Sequence, residues 1–194
     1  RLLRDDAYLI GLFNSDVNDL ALKAKIKASS EQEFGKVMDI ISGQTRSVHG
    51  IKGAKLDRII KGANRWMSKP VDGFPVFVEL DWDKEISVEE IQIIFDSGMH
   101  RILTLSHSDA YADKMIWGKP QPETVKDYIL EGFYKKERII NIKILDNFQR
   151  KNIHYLKQIK TVDRIRITIL STNGIDHARI HEVRVYSSSD RSFR

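Results

Sequence analysis

From Arg164 to Ile169, in the stretch RIRITIL, polar and apolar side chains alternate without a break. Ile165, Ile167 and Ile169 fall on one phase, and Arg164, Arg166 and Thr168 on the other. Only an extended chain with one wet face and one dry face turns that order into a structure, because successive strand side chains point to opposite sides. The same period recurs. PVFVEL puts Val76, Val78 and Leu80 together, IQIIFD does so with Ile91, Ile93 and Phe95, and RIINIKIL with Ile140, Ile142 and Ile144. DYILEGF, from Asp127 to Phe133, alternates less cleanly. Half-buried strands of this kind belong to antiparallel sheets. Loops rich in Gly, Asp, Asn, Ser and Pro separate them, with no regular helix–strand alternation. Many one-faced strands predict two sheets packed face to face, an all-β sandwich of about eight or more strands.

The first 27 or so residues lack strand alternation. SDVNDLALKAK offers Ser15 or Asp16 as the N-cap of a short helix. ASSEQEFGKVMDIISGQTR reads as a loop, one helical turn and another loop. The expected division is a lead-in over residues 1–21, the sandwich over 22–187 and a tail over 188–194. Because the chain opens on Arg1, it reads as a fragment or processed form.

The chain of 194 residues can bury one substantial core. It contains no cysteine, which excludes disulfides, thiolate metal sites and Cys nucleophiles. No apolar run approaches the roughly 20 residues of a membrane-spanning helix. The net charge is +5, but the 32 basic residues read as dispersed and suggest no nucleic-acid partner.

In TNGIDHARIHEVRVY, from Thr172 to Tyr186, the apolar phase changes. Ala178 and Ile180 share one phase, while Val183 and Val185 sit one step out. A strand that changes faces needs one extra residue, so a β-bulge is expected near His181–Glu182. Glu182 would then either point sideways toward an end of the sandwich or lie in solvent.

Taken in order, ASS, DIISGQTR, NRWMS, PVFVELDW, VEEIQIIFD, DYILEG, NFQRKNIHYL, DRIRITILSTNG and ARIHEVRVY resemble the galactose-binding-like jelly roll. That fold is shared by discoidin domains, coagulation-factor C domains and many carbohydrate-binding modules. The resemblance spans roughly residues 22–187 and implies a jelly-roll β-sandwich with a short helical N-terminal lead-in. LLRDDAYLIGLFNSDVNDLALKAK and FDSGMHRILTLSH also look like the C-terminal region of bacterial FAD-dependent oxidoreductases, some labelled xanthan lyases. This narrower likeness implies a non-catalytic accessory domain that packs on a preceding flavin domain, or helps present a carbohydrate substrate. FAD would then belong to a part of the parent chain absent here, since no GxGxxG follows a strand. The alternative is an autonomous carbohydrate-binding module, and either reading fits a secreted or periplasmic bacterial protein.

The resemblance also implies sites. Members of the fold often hold a structural calcium, ligated by loop carbonyls, an Asp in the first loop and the Glu of the last strand. Glu182 matches that Glu, Ser42 stands where the Asp would be, and Asp39 lies three residues early. The other reading of Glu182 is a carboxylate that accepts loop amides or pairs with a nearby cation. A glycan site would occupy loops at one end of the sandwich, drawing on Arg46, His49, Asn64, Arg65, Trp66, Asn147, Arg150 and Asn173. Trp66 also reads as a core residue. Arg46, His49 and Arg150 together would suit an acidic sugar or carboxylate. In the insertion SHSDAYADKMIWGKPQPETVKD, Met115, Ile116 and Trp117 look like an interface with a missing domain. A third class, phospholipid or protein adhesion, would use the loops of Ile51 and Ile116–Trp117. His177 and His181 are four apart but read as turn then strand, not as a helical metal pair, and no serine sits in a nucleophile elbow, so no catalytic residue is expected.

Overall fold

In the computed structural model, the structure describes residues 16–43, 65–98, 116 and 118–187. Seven strands are present among them: β1 (Lys25–Ala28), β2 (Trp66–Met67), β3 (Val76–Phe95), β4 (Val125–Tyr134), β5 (Glu137–Ile144), β6 (Lys151–Thr172) and β7 (Arg179–Tyr186). Every pairing is antiparallel, in the order β2-β7-β3-β6-β4-β5, with β1 on β3.

Seven strands stand among the described residues where about eight or more were expected of the chain, because several expected strands run together. PVFVEL and IQIIFD are two halves of β3, and NFQRKNIHYL and RIRITIL both feed β6. These two strands pair with each other along almost their whole length, and each bends at a bulge. In β3 the register steps from Asp81 to Ile86 while β6 steps only from Arg164 to Val162, so Trp82–Glu85 stands opposite the single residue Asp163. In β6 it steps from Lys160 to Tyr155 while β3 advances only from Val88 to Glu90, so Leu156–Ile159 stands opposite the single residue Glu89. Bulges sharpen twist and turn a strand out of its sheet.

The bends convert one hydrogen-bonded network into two layers. The first halves of β3 and β7-side partners differ: Val78 pairs with Ala28 of β1, whereas Ile93 pairs with Val183 of β7. One layer is therefore β1, early β3, late β6, β4 and β5; the other is β2, β7, late β3 and early β6. Tyr128 shows that the layers face each other. It pairs with Ile169, which pairs with Val76 at the start of β3, yet its ring lies 5.1 Å from that of Phe95 at the strand's far end. A straight strand would separate Val76 from Phe95 by about 60 Å. The Tyr128 hydroxyl also meets His154 Nε2 of early β6 at 3.0 Å across the core.

Core placement follows the alternating phase. Val76, Val78, Leu80, Ile91, Ile93, Phe95, Ile165, Ile167 and Ile169 are all buried. Each side chain of this size contributes about 2 kcal/mol by leaving water. Ile140 is buried, but Ile142 and Ile144 are only half-buried because β5 is an edge strand. The weak alternation of β4 reflects Gly132, where a Cβ would lie 2.6 Å from Ile140 Cδ1. The lead-in forms a 3-10 turn at Leu20–Lys23 rather than an α-helix. Its N-cap is Asp19, not Ser15 or Asp16; Asp19 Oδ1 accepts from the amides of Ala21 and Val185, tying the turn to β7. Trp82 Nε1 donates to the Leu20 carbonyl and holds the turn from the other side. The single helical turn expected in KVMDIIS is a 3-10 turn at Val37–Ile41.

Candidate functional site

The bulge in β7 lies where the change of phase puts it. Ile94 pairs with Glu182 but Phe95 pairs with Ile180, leaving His181 as the extra residue. Ile180, Val183 and Val185 consequently share one core. His181 and Glu182 are released to opposite tasks, both fully or almost fully buried.

Glu182 points sideways and latches a loop. Its Oε2 accepts from the Gly43 amide at 3.0 Å, and its Oε1 from Arg184 Nε at 3.3 Å. Gly43 has φ of 80°, a backbone conformation that suits glycine. Burial pushes the Glu182 carboxyl up to about 8; Arg184 and the Gly43 amide oppose the shift, and nearby Asp19 adds to it. Ser42 donates its amide to Asp39, whose own carboxyl burial also pushes up. Among the described residues no group of three or more His, Cys, Asp or Glu could hold a metal. A guanidinium and an amide thus stand on the two Glu182 oxygens, and the carboxyl forms a hydrogen-bonded latch between β7 and the 42–43 turn.

His181 faces the end of the sandwich where β3 finishes and β6 and β7 begin. Backbone bonds close that end: Phe95 N to Arg150 O at 2.8 Å, Asp96 N to Arg179 O at 3.5 Å, and Ser68 N to Ala178 O at 3.0 Å. Asp96, wholly buried, is its centre. Arg179 and Arg65 reach Asp96 Oδ2 at 3.3 and 3.4 Å, and His181 Nε2 lies 3.6 Å from Oδ1. The Gly98 amide donates to Oδ1 at 2.9 Å. Burial alone would raise the Asp96 carboxyl; the His181 hydrogen bond and the two guanidiniums outweigh it and hold the group well below the usual carboxylate range. Burial likewise draws Arg65 down, opposed by Asp96 and Glu123. Arg179 Nε is fixed on His177 Nε2 at 2.9 Å, and His177 Nδ1 on Asp176 at 2.7 Å.

Beside this ion cluster the 145–150 loop is locked by amide side chains. Asn147 Nδ2 donates to the carbonyls of Val125 and Gln149, and Asn147 Oδ1 accepts from the Gln149 amide. Asn173 Nδ2 bridges the carbonyls of Thr124 and Asn147. The locked loop presents Phe148 to solvent at 66% exposure, with Arg150 two residues on. An exposed ring on a braced loop is a ready platform for an apolar ligand face.

The expected glycan residues divide accordingly. Asn147 and Arg150 belong to this end, although Asn147 is buried and spent on bracing. Trp66 is core: it is wholly buried and donates Nε1 to the Ser30 carbonyl at 2.8 Å. Arg46, His49, Asn64, Ile51 and Met115–Trp117, Ile116 apart, lie outside the described residues. Phe148, Asp96 and Arg179 are not singled out in the sequence, and His181 is singled out only as a bulge position. Phe148 alone carried a signal there, as an aromatic inside the polar loop DNFQR.

No protein-family model matches the chain, and no curated protein matches it. Solved structures do. A family 32 carbohydrate-binding module from C. perfringens NanJ, in complex with galactose, is 15% identical with a TM-score of 0.58, over 86% of this chain and 96% of that one. A fucose-binding module from Streptococcus pneumoniae is 13% identical with a TM-score of 0.59, over 88% and 98%. The lectin domain of lectinolysin, complexed with Lewis B antigen, is 10% identical with a TM-score of 0.58, over 89% and 98%. At these identities the likeness concerns architecture, and with the two bent layers described above it establishes that this chain has the galactose-binding-like jelly-roll fold.

Proposed function

We propose that the domain is a non-catalytic carbohydrate-binding module that takes its glycan at the braced loop end, with the Phe148 ring against the apolar face of a sugar. Arg150 and the adjoining loops supply hydrogen bonds to hydroxyls; Arg46, His49 and Asn64 belong to that proposal as further ligand-binding residues. The observation that carries it is the solvent-facing Phe148 on a loop held by four amide-mediated hydrogen bonds from Asn147 and Asn173 to backbone carbonyls. Pre-bracing removes ordering cost from binding. Modules of this fold in complex with galactose or described as fucose-binding support the choice of ligand class. They favour this reading over an accessory role on a flavin domain, for which neither the geometry nor the likenesses supply an argument. A secreted or periplasmic setting follows from the same proposal.

Glycan-array screening followed by calorimetry tests it. A sugar bound with a dissociation constant of about 1 mM or tighter, with binding lost in Phe148→Ala while the fold is kept, is the expected result. Silence across a broad array, or full binding by Phe148→Ala, overturns it.

A further inference from the structure

A second surface lies away from the loop end, between edge strand β5 and the bulge of β6. It is a groove of about 480 Å³, lined on one side by Ile139, Ile140 and Ile142 and on the other by Tyr155, Leu156 and Lys157. Its floor is aliphatic and its rim is cationic, with Lys157 and Lys160 both in the lining and in no ion pair among the described residues. The stretch of sequence that carries this lining is rich in basic residues. Residues 135–160 carry eight Lys or Arg against two acids, a net +6 where the whole chain has +5. The backbone is open as well. Among the described residues β5 pairs only with β4, and the bulged Leu156–Ile159 has no partner in β3. Tyr155 and Ile159 remain 59% and 50% exposed.

We infer that this groove docks an extended polypeptide segment of a partner in which acidic and apolar residues alternate. Alternation follows from strand geometry: one side of such a segment would enter the aliphatic floor while the other met the lysine rim. An unpaired strand edge supplies main-chain hydrogen bonds. Asn141 and Gln158 complete the lining, and three isoleucines beside two lysines make this surface distinct in chemistry from the Phe148 end.

The test uses the whole chain and a fluorescein-labelled peptide of strictly alternating Glu and Val, followed by anisotropy and by amide shift mapping. Binding weakened about tenfold by Lys157→Glu with Lys160→Glu is expected. So are shifts confined to residues 139–144 and 155–160, and clearly weaker binding of a Glu–Ser peptide. Tyr155→Ser, at an exposed position, gives a second reading of the apolar wall should the double variant fold poorly. No binding overturns the inference, as does equal binding of the Glu–Ser peptide, which would leave charge alone. Shifts at the loop end, or a self-association that Lys157→Glu with Lys160→Glu dissolves, overturn it in favour of another site or of a second copy.

Discussion

Replacing Asp96 by Asn keeps the volume and removes the charge. In the folded protein this strands Arg65, nearly inaccessible to water, and Arg179 beside it with an amide where each had a carboxylate oxygen within 3.4 Å. Breaking one member out of a buried ion cluster costs about 3–5 kcal/mol. Glu123, which also acts on Arg65, offsets part of this, so a loss of about 3 kcal/mol is the expected value. For a domain of this size that corresponds to about 6–12 °C in Tm. The pH dependence has a definite sign. Asp96 is held well below its ordinary value in the fold, so its stabilisation is fully present above the unfolded pKa and is lost as pH falls toward the folded one. Urea unfolding of wild type and Asp96→Asn at a series of pH values should show a gap constant above about pH 5 that closes by up to about 1.4 kcal/mol per unit below about pH 4. Glu131→Gln, at the half-exposed Arg138 pair, is the control and should change stability by less than about 1 kcal/mol. An Asp96→Asn protein as stable as wild type at pH 6, or a gap indifferent to acid, would refute the reasoning.

Glu182 has the opposite sign. Its folded pKa is raised to about 8, so stability is greatest below the unfolded value and declines as pH rises from about 4.5 to about 8; Glu182→Gln should flatten that decline in denaturation curves. Adding calcium should leave Tm within about 1 °C, because the Glu182 oxygens already serve Gly43 and Arg184; a rise of several degrees by scanning fluorimetry would show a cation displacing the latch. Gly132→Ala puts a methyl 2.6 Å from Ile140 Cδ1 and should cost about 1–3 kcal/mol by urea unfolding, with no effect on glycan binding at the far loops. Phe148→Ala, at an exposed ring, should shift stability by less than about 0.5 kcal/mol even as it abolishes sugar binding.

The strand phases were legible in the sequence by itself. Ile165, Ile167 and Ile169 announce the buried face of β6, and the step between Ile180 and Val183 announces the His181 bulge, because side-chain alternation is a property of two neighbouring residues. Glu182 could be named as a residue turned aside, and Asn147 and Arg150 as members of the loop end. Tertiary structure alone decided the rest. Nothing local in DKEIS or LKQI tells that β3 and β6 run on through their bulges and carry one sheet over onto the other. The Asp96 cluster joins residues from positions 65 to 181, and the groove joins β5 to a bulge whose existence depends on the register with β3. Charge neutralisation and edge exposure are set by which distant segments meet in space, and a two-residue period carries no information about that.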